Sequence, residues 1–205
     1  GHPELGLPAN PEHWTDDDVL QALALNGEDL PGNLVVGAGS FQRFQAIAAS
    51  PAPPVTTSDY PAMADRAMQG SLPGSSAGGE QPKFCTVREG RQVIVKFSPS
   101  GSSAAERRAR DLLVCEHIAL RTLREAGVAA AATQILLEAG RVFLEVERFD
   151  RTAHGRIGMV SLMAYDAQHV GRIDNWAATA NRMASRGLLT ADDARRLRCL
   201  EAFGR

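Results

Sequence analysis

The chain has 205 residues, of which 44% are apolar and 5% aromatic, enough to bury one domain or two small ones around a core built mainly from Ala, Leu and Val. A formal net charge of -2 argues against binding nucleic acid through bulk charge. Cys85, Cys115 and Cys199 show no CxxC spacing and read as free thiols. With no signal peptide and no bilayer-length apolar run, they point to a soluble, cytoplasmic protein and away from the membrane.

Gly1-His2-Pro3 opens the chain without an initiator Met, which suggests processing or a fragment. Thr15-Asp16-Asp17-Asp18 reads as a helix start, because a hydroxyl can accept a free N–H and carboxylates suit the positive end of the dipole. Asn26-Gly27 stops that helix. Residues 29–37, beginning Asp29-Leu30-Pro31-Gly32, read as a turn entering a short strand, and residues 41–49 fit helix or strand equally. The prolines of 50–58 mark a linker, and 60–69 reads as a short helix stopped at Gly70.

Residues 70–84 form a Gly- and Ser-rich loop that runs into an apolar hairpin, 84–97, turned at Glu89-Gly90. Residues 104–126 carry the best helical periodicity in the chain, with Gly127 as the cap. A second hairpin spans 133–137 and 142–149 about Ala139-Gly140, and a third strand is expected over 157–162. Helices follow over 173–185 and from Thr190 to Phe203. The order gives an α+β fold with an antiparallel sheet. It divides into an N-terminal subdomain and linker (1–58), a small lobe (59–150) and the start of a helical large lobe (151–205).

Small residues let backbone N–H groups approach phosphate oxygens, and an apolar strand can aim one ammonium at them. Lys96, between Val95 and Phe97, is that ammonium. Glu116 lies among apolar residues of the long helix, where a lone carboxylate is costly. Lys96 is one partner for it; Arg110 or Arg121 on its own helix is the other. Glu145 and Glu147 alternate along a strand, and Glu145 reads as part of a wet face. His2, His13, His117, His154 and His169 show no metal-ligand spacing, and the runs 107–110 and 195–198 read as solvated helix faces.

Three ordered stretches, 75–84, 93–97 and 146–151, with Asp29–Leu34 ahead of them, resemble the HipA family of serine/threonine kinases, and the wording of 78–84 is nearest to its YjjJ-like branch. The resemblance covers roughly residues 29–205. It implies a kinase-like small lobe, ATP and Mg2+ as cofactors, and transfer of phosphate to a protein Ser or Thr. It places an autophosphorylated serine at Ser75, with Ser76 as the alternative. Ala77, Gly78, Gly79 and Gln81 fall in the phosphate loop, Lys96 at the phosphates, Glu116 in the supporting helix of the nucleotide site, and Glu147 and Phe149 in a hinge that reads adenine through its backbone.

The resemblance also implies a toxin of a toxin–antitoxin pair, with a translation factor such as an aminoacyl-tRNA synthetase as substrate and a DNA-binding antitoxin as partner. The family's catalytic Asp and its magnesium ligands are expected beyond Arg205, so residues 1–205 are expected to bind nucleotide weakly and transfer no phosphate. The alternative is a non-catalytic, pseudokinase-like module that binds a partner protein.

Overall fold

The computed structural model describes residues 6–8, 13–49, 55–69, 81–172 and 174–204. They form an α+β protein with one four-stranded antiparallel sheet and seven α-helices. Two compact units divide it, residues 1–158 and 159–205.

Helix α1, Asp16–Asn26, begins as expected: Thr15 and Asp18 close a reciprocal capping box. The ambiguous stretch after residue 37 is helix α2, Ala38–Ala49. Ser40 Oγ ties the two together, accepting from the Gly27 N–H and donating to the Ala24 carbonyl, both at 2.9 Å. Gly37 sits at φ 91°, where a Cβ would lie 2.6 Å from the Ala24 carbonyl oxygen, so only glycine fits. The strand expected in 29–37 is reduced to a single bridge, Gly27 to Val36. The side chains and carbonyls of 28–32 are spent elsewhere.

Helix α3, Tyr60–Met68, follows a 3-10 turn at Thr57–Asp59. Strands β1, Lys83–Arg88, and β2, Arg91–Phe97, are joined through Glu89 and Gly90, both at positive φ. Helix α4, Ala104–Glu125, carries a capping box between Ser103 and Glu106. Strands β3, Thr133–Glu138, and β4, Arg141–Glu147, turn at Ala139-Gly140, again both at positive φ. The sheet order is β1-β2-β4-β3.

Strand alternation sends the two sheet faces to different helices. On one face Phe84, Val93, Val95, Phe97 and Phe143 pack with Tyr60 and Ala64 of α3. On the other, Val142 and Leu144 pack with Leu113 of α4. Each fully buried large side chain contributes roughly 1.5–3 kcal/mol, so the sheet and its two helices hold one another.

Glu145 departs from expectation. It is buried, not wet, because α3 covers its face: the Tyr60 hydroxyl donates to it at 2.7 Å and Arg88 at 2.6 Å. Burial and the Glu145 carboxylate push the Tyr60 phenol well above its ordinary pKa.

Beyond β4, a minimal ribbon forms from β5, Arg151–Thr152, and β6, Gly155–Arg156. The third strand expected over 157–162 does not form. Residues 157–161 join no strand among the described residues, although the Ile157 N–H donates to the Asp150 carbonyl at 3.0 Å, and Ser161 caps a helix that sequence reading missed, α5, Leu162–His169. In the second unit α6, Trp176–Ser185, starts at the Asn175 cap rather than at residue 173. It pairs with α7, Ala191–Gly204, around Ala180, Met183 and Ala194. Among the described residues, no helix is long and apolar enough to cross a membrane.

Candidate nucleotide site

β1 and β2 set Lys83 directly opposite Lys96, and alternation sends both side chains to the α4 face. Like charges facing each other across a ladder are unfavourable. Their carboxylate is Glu116, which accepts from Lys96 Nζ at 2.6 Å. This resolves the open choice for Glu116. Arg110 instead donates to the Gly101 and Gly140 carbonyls, and Arg121 pairs with Glu125 four residues on. The Lys96–Glu116 pair is only half-buried, so Lys96 keeps donors facing open space.

Lys83 was not singled out by the sequence reading. It is 4% exposed; burial first, and then the Lys96 charge, lower its pKa, while Glu116 opposes that shift. The register thus sets two ammonium groups beside each other at the head of the sheet, with Glu116 bonded to Lys96. The signal was available: with the turn at Glu89-Gly90, counting back from Lys96 pairs it with Lys83.

Of the expected phosphate-loop residues, Ser75, Ser76, Ala77, Gly78 and Gly79 lie outside the described residues. Gln81 stands just before β1. Its side-chain oxygen is buried and meets no donor among the described residues. A buried acceptor left so costs about 1–3 kcal/mol, which favours a donor from elsewhere.

The exit of β4 supplies the second half of the site. The Glu147 N–H is taken by the Ala132 carbonyl and the Arg148 N–H by the Gln92 carbonyl, both at 2.9 Å. The Phe149 N–H finds no acceptor among the described residues, and its side chain is 65% exposed. Phe149 is the second residue of a turn closed by the Arg151 N–H on the Arg148 carbonyl at 3.4 Å. In register, Glu147 lies opposite Val93 and Lys96 is three residues further along β2, about 10 Å away at strand spacing.

That turn is held by a buried ion network the sequence reading did not find. Arg148 forks onto Asp150 at 3.0 and 2.9 Å and reaches Asp29 at 2.8 Å. Arg151 bonds Asp29 at 2.7 Å and Asp150 at 2.9 Å. The Gly32 N–H donates to Asp150 at 2.8 Å. Burial alone would raise the Asp150 pKa, but Arg148, the Gly32 N–H and Arg151 outweigh it and hold it at about 2. The Cys85 thiol beside Arg148 is pushed up to about 11, chiefly by burial.

The Asp150 shift sets an acid limit. A carboxyl whose folded pKa lies below its unfolded one contributes stability above the unfolded value, near 4, and loses it as pH falls through the folded value. About 2 kcal/mol of stability should disappear between about pH 4 and pH 2. Urea unfolding over that range measures it. Asp150→Asn, though less stable throughout, should lack that share of the acid loss, and an identical pH profile in both proteins would contradict the assignment.

No group of His, Cys, Asp or Glu able to hold a metal gathers among the described residues, so magnesium finds no ligand set there.

The family model described as "HipA-like C-terminal domain" matches residues 75–198, and "YjjJ-like toxin, middle domain" matches residues 1–45. The chain belongs to the HipA-like family. Toxin YjjJ of Escherichia coli (strain K12) is 35% identical over 211 residues, covering 98% of this chain and 47% of that protein. The chain thus spans about half the length of the curated relative it matches. No solved structure matches.

Proposed function

We propose that the chain is the nucleotide-gripping part of a HipA-like serine/threonine protein kinase that acts as a toxin. The observation that carries this is the Lys83–Lys96 register pair with Glu116 bonded to Lys96, in the same sheet as the exit of β4, where the Phe149 N–H meets no acceptor among the described residues. Lys96 would hold phosphate oxygens, Glu116 would fix the Lys96 rotamer, and Lys83 would add a second, drier cation. The Glu147 carbonyl and Phe149 N–H would read the adenine edge, and the loop 75–79 would cover the phosphates with backbone N–H groups. ATP would supply the transferred phosphoryl group, held by these residues, and the resemblance implies a magnesium ion and a catalytic Asp to complete the chemistry.

The substrate would be a protein hydroxyl. A translation factor as target and a DNA-binding antitoxin as restraint are what the resemblance implies, and the similarity to a toxin supports the toxin part of that reading. Phosphate on the loop serine would add charge and acceptor oxygens and drive the loop from the phosphate site, switching the kinase off.

Mass spectrometry of the full-length protein after incubation with ATP and magnesium tests this. Phosphate is expected on Ser75, or on Ser76 beside it. Modification confined to other residues would overturn the loop assignment, and no transfer to any hydroxyl, its own or a partner's, would overturn the kinase reading.

A further inference from the structure

We propose that Asp29 is a positioning residue for base recognition: it clamps the turn that presents the Phe149 N–H. This rests on the nucleotide reading above and extends it to a segment 119 residues away from Arg148.

Phe149 is flanked by two residues that cannot move freely. Arg148 and Asp150 are each 5% exposed, while Phe149 between them is open to solvent. Their fork would fix only their relation to each other; Asp29 fixes both to the N-terminal segment. One Asp29 oxygen takes Arg148 and the other takes Arg151, the residue that closes the turn. Backbone contacts repeat the tie: Arg151 donates to the Gly32 and Leu30 carbonyls at 2.7 and 2.8 Å, and Arg156 to the Glu28 carbonyl at 2.8 Å. Residues 28–32 therefore spend their polar groups on the turn, which is why they form no strand.

The charges make Asp29 the sensitive member. Arg148, Arg151 and Arg156 bring three positive charges, and Asp29 and Asp150 bring two negative ones. Without Asp29, three guanidinium groups share one carboxylate and repel one another around the turn. The β1–β2 and β2–β4 ladders do not run through Asp29, nor does the Lys96–Glu116 pair. The loss should therefore fall on the base end of the site and spare the phosphate end.

Binding titrations of this 205-residue chain with ATP and with inorganic tripolyphosphate separate the two ends. The wild-type chain should prefer ATP. Asp29→Asn should weaken ATP about tenfold and change tripolyphosphate less than twofold, with Asp29→Glu recovering most of the ATP affinity. Arg151→Lys keeps its charge but cannot bridge Asp29 and Asp150, and should give the same split. If Asp29→Asn weakens both ligands equally, the residue is merely structural; if it weakens neither, there is no clamp; both results overturn the proposal. A wild-type chain that binds tripolyphosphate as well as ATP overturns the base-reading hinge itself, and one that binds neither overturns the nucleotide site.

Discussion

Lys96→Ala should lower affinity for ATP on the order of 100-fold, the loss expected when a charge-assisted contact worth about 3 kcal/mol is removed. Two effects add. The ammonium that meets phosphate oxygens is gone, and Glu116, which it neutralised at 2.6 Å, is left as a bare carboxylate facing the same anion. Stability should change by less than about 1 kcal/mol, because the pair is half-exposed and its removal also relieves the repulsion with Lys83. Isothermal calorimetry and thermal unfolding on the same preparation read the two quantities. Unchanged affinity would remove Lys96 from the site, whereas a large drop in unfolding temperature would make it a structural residue.

Arg148→Leu should have the largest effect on folding, with little dependence on ligand. The guanidinium side chain is 3% exposed and holds Asp29 and Asp150 together. Leucine covers its apolar stem but takes one guanidinium partner from each of Asp29 and Asp150, leaving Arg151 and the Gly32 N–H to hold them. Breaking one side of a buried pair costs about 3–5 kcal/mol. For a unit of this size that lowers the unfolding midpoint on the order of 10 °C. A double change, Arg148→Leu with Asp150→Leu, should recover part of the loss, since a matched apolar pair strands less charge. A cost below about 1 kcal/mol for the single change would mean that water, not Arg148, satisfies those carboxylates.

Much of the four-stranded sheet and of α4 was legible because its signals are local. Glu89-Gly90 and Ala139-Gly140 occupy positive φ at the two hairpin turns, and Ser103 with Glu106 opens the long helix. Helical and strand periods then placed Lys96 and Glu116 on neighbouring elements. What they could not give was the rotational phase of α4 on the sheet, so Glu116 kept three candidate partners until packing chose Lys96. Lys83 was overlooked although the register about Glu89-Gly90 implies it.

Other features lay outside local pattern. Glu145 looked like a wet strand position, but α3, from a distant stretch of sequence, covers it with Tyr60. The bonds from Asp29 to Arg148 and Arg151 span about 120 residues and carry no periodicity. α5 was missed because its apolar start read as the end of a strand, while the Ser161 cap was the better signal.

The central claim is that one nucleotide spans the sheet from β2 to the exit of β4, phosphates at Lys96 beside Lys83 and base at Phe149. Amide chemical-shift mapping of the 205-residue chain during titration with ATP tests it most directly. Shifts should cluster at the loop 75–81, at Lys83 and Lys96, and at the Phe149 amide, with tripolyphosphate moving the first two groups but not the third. Saturating ATP that leaves Lys96 and Phe149 unmoved, or that shifts only residues remote from this strand pair, would contradict the account.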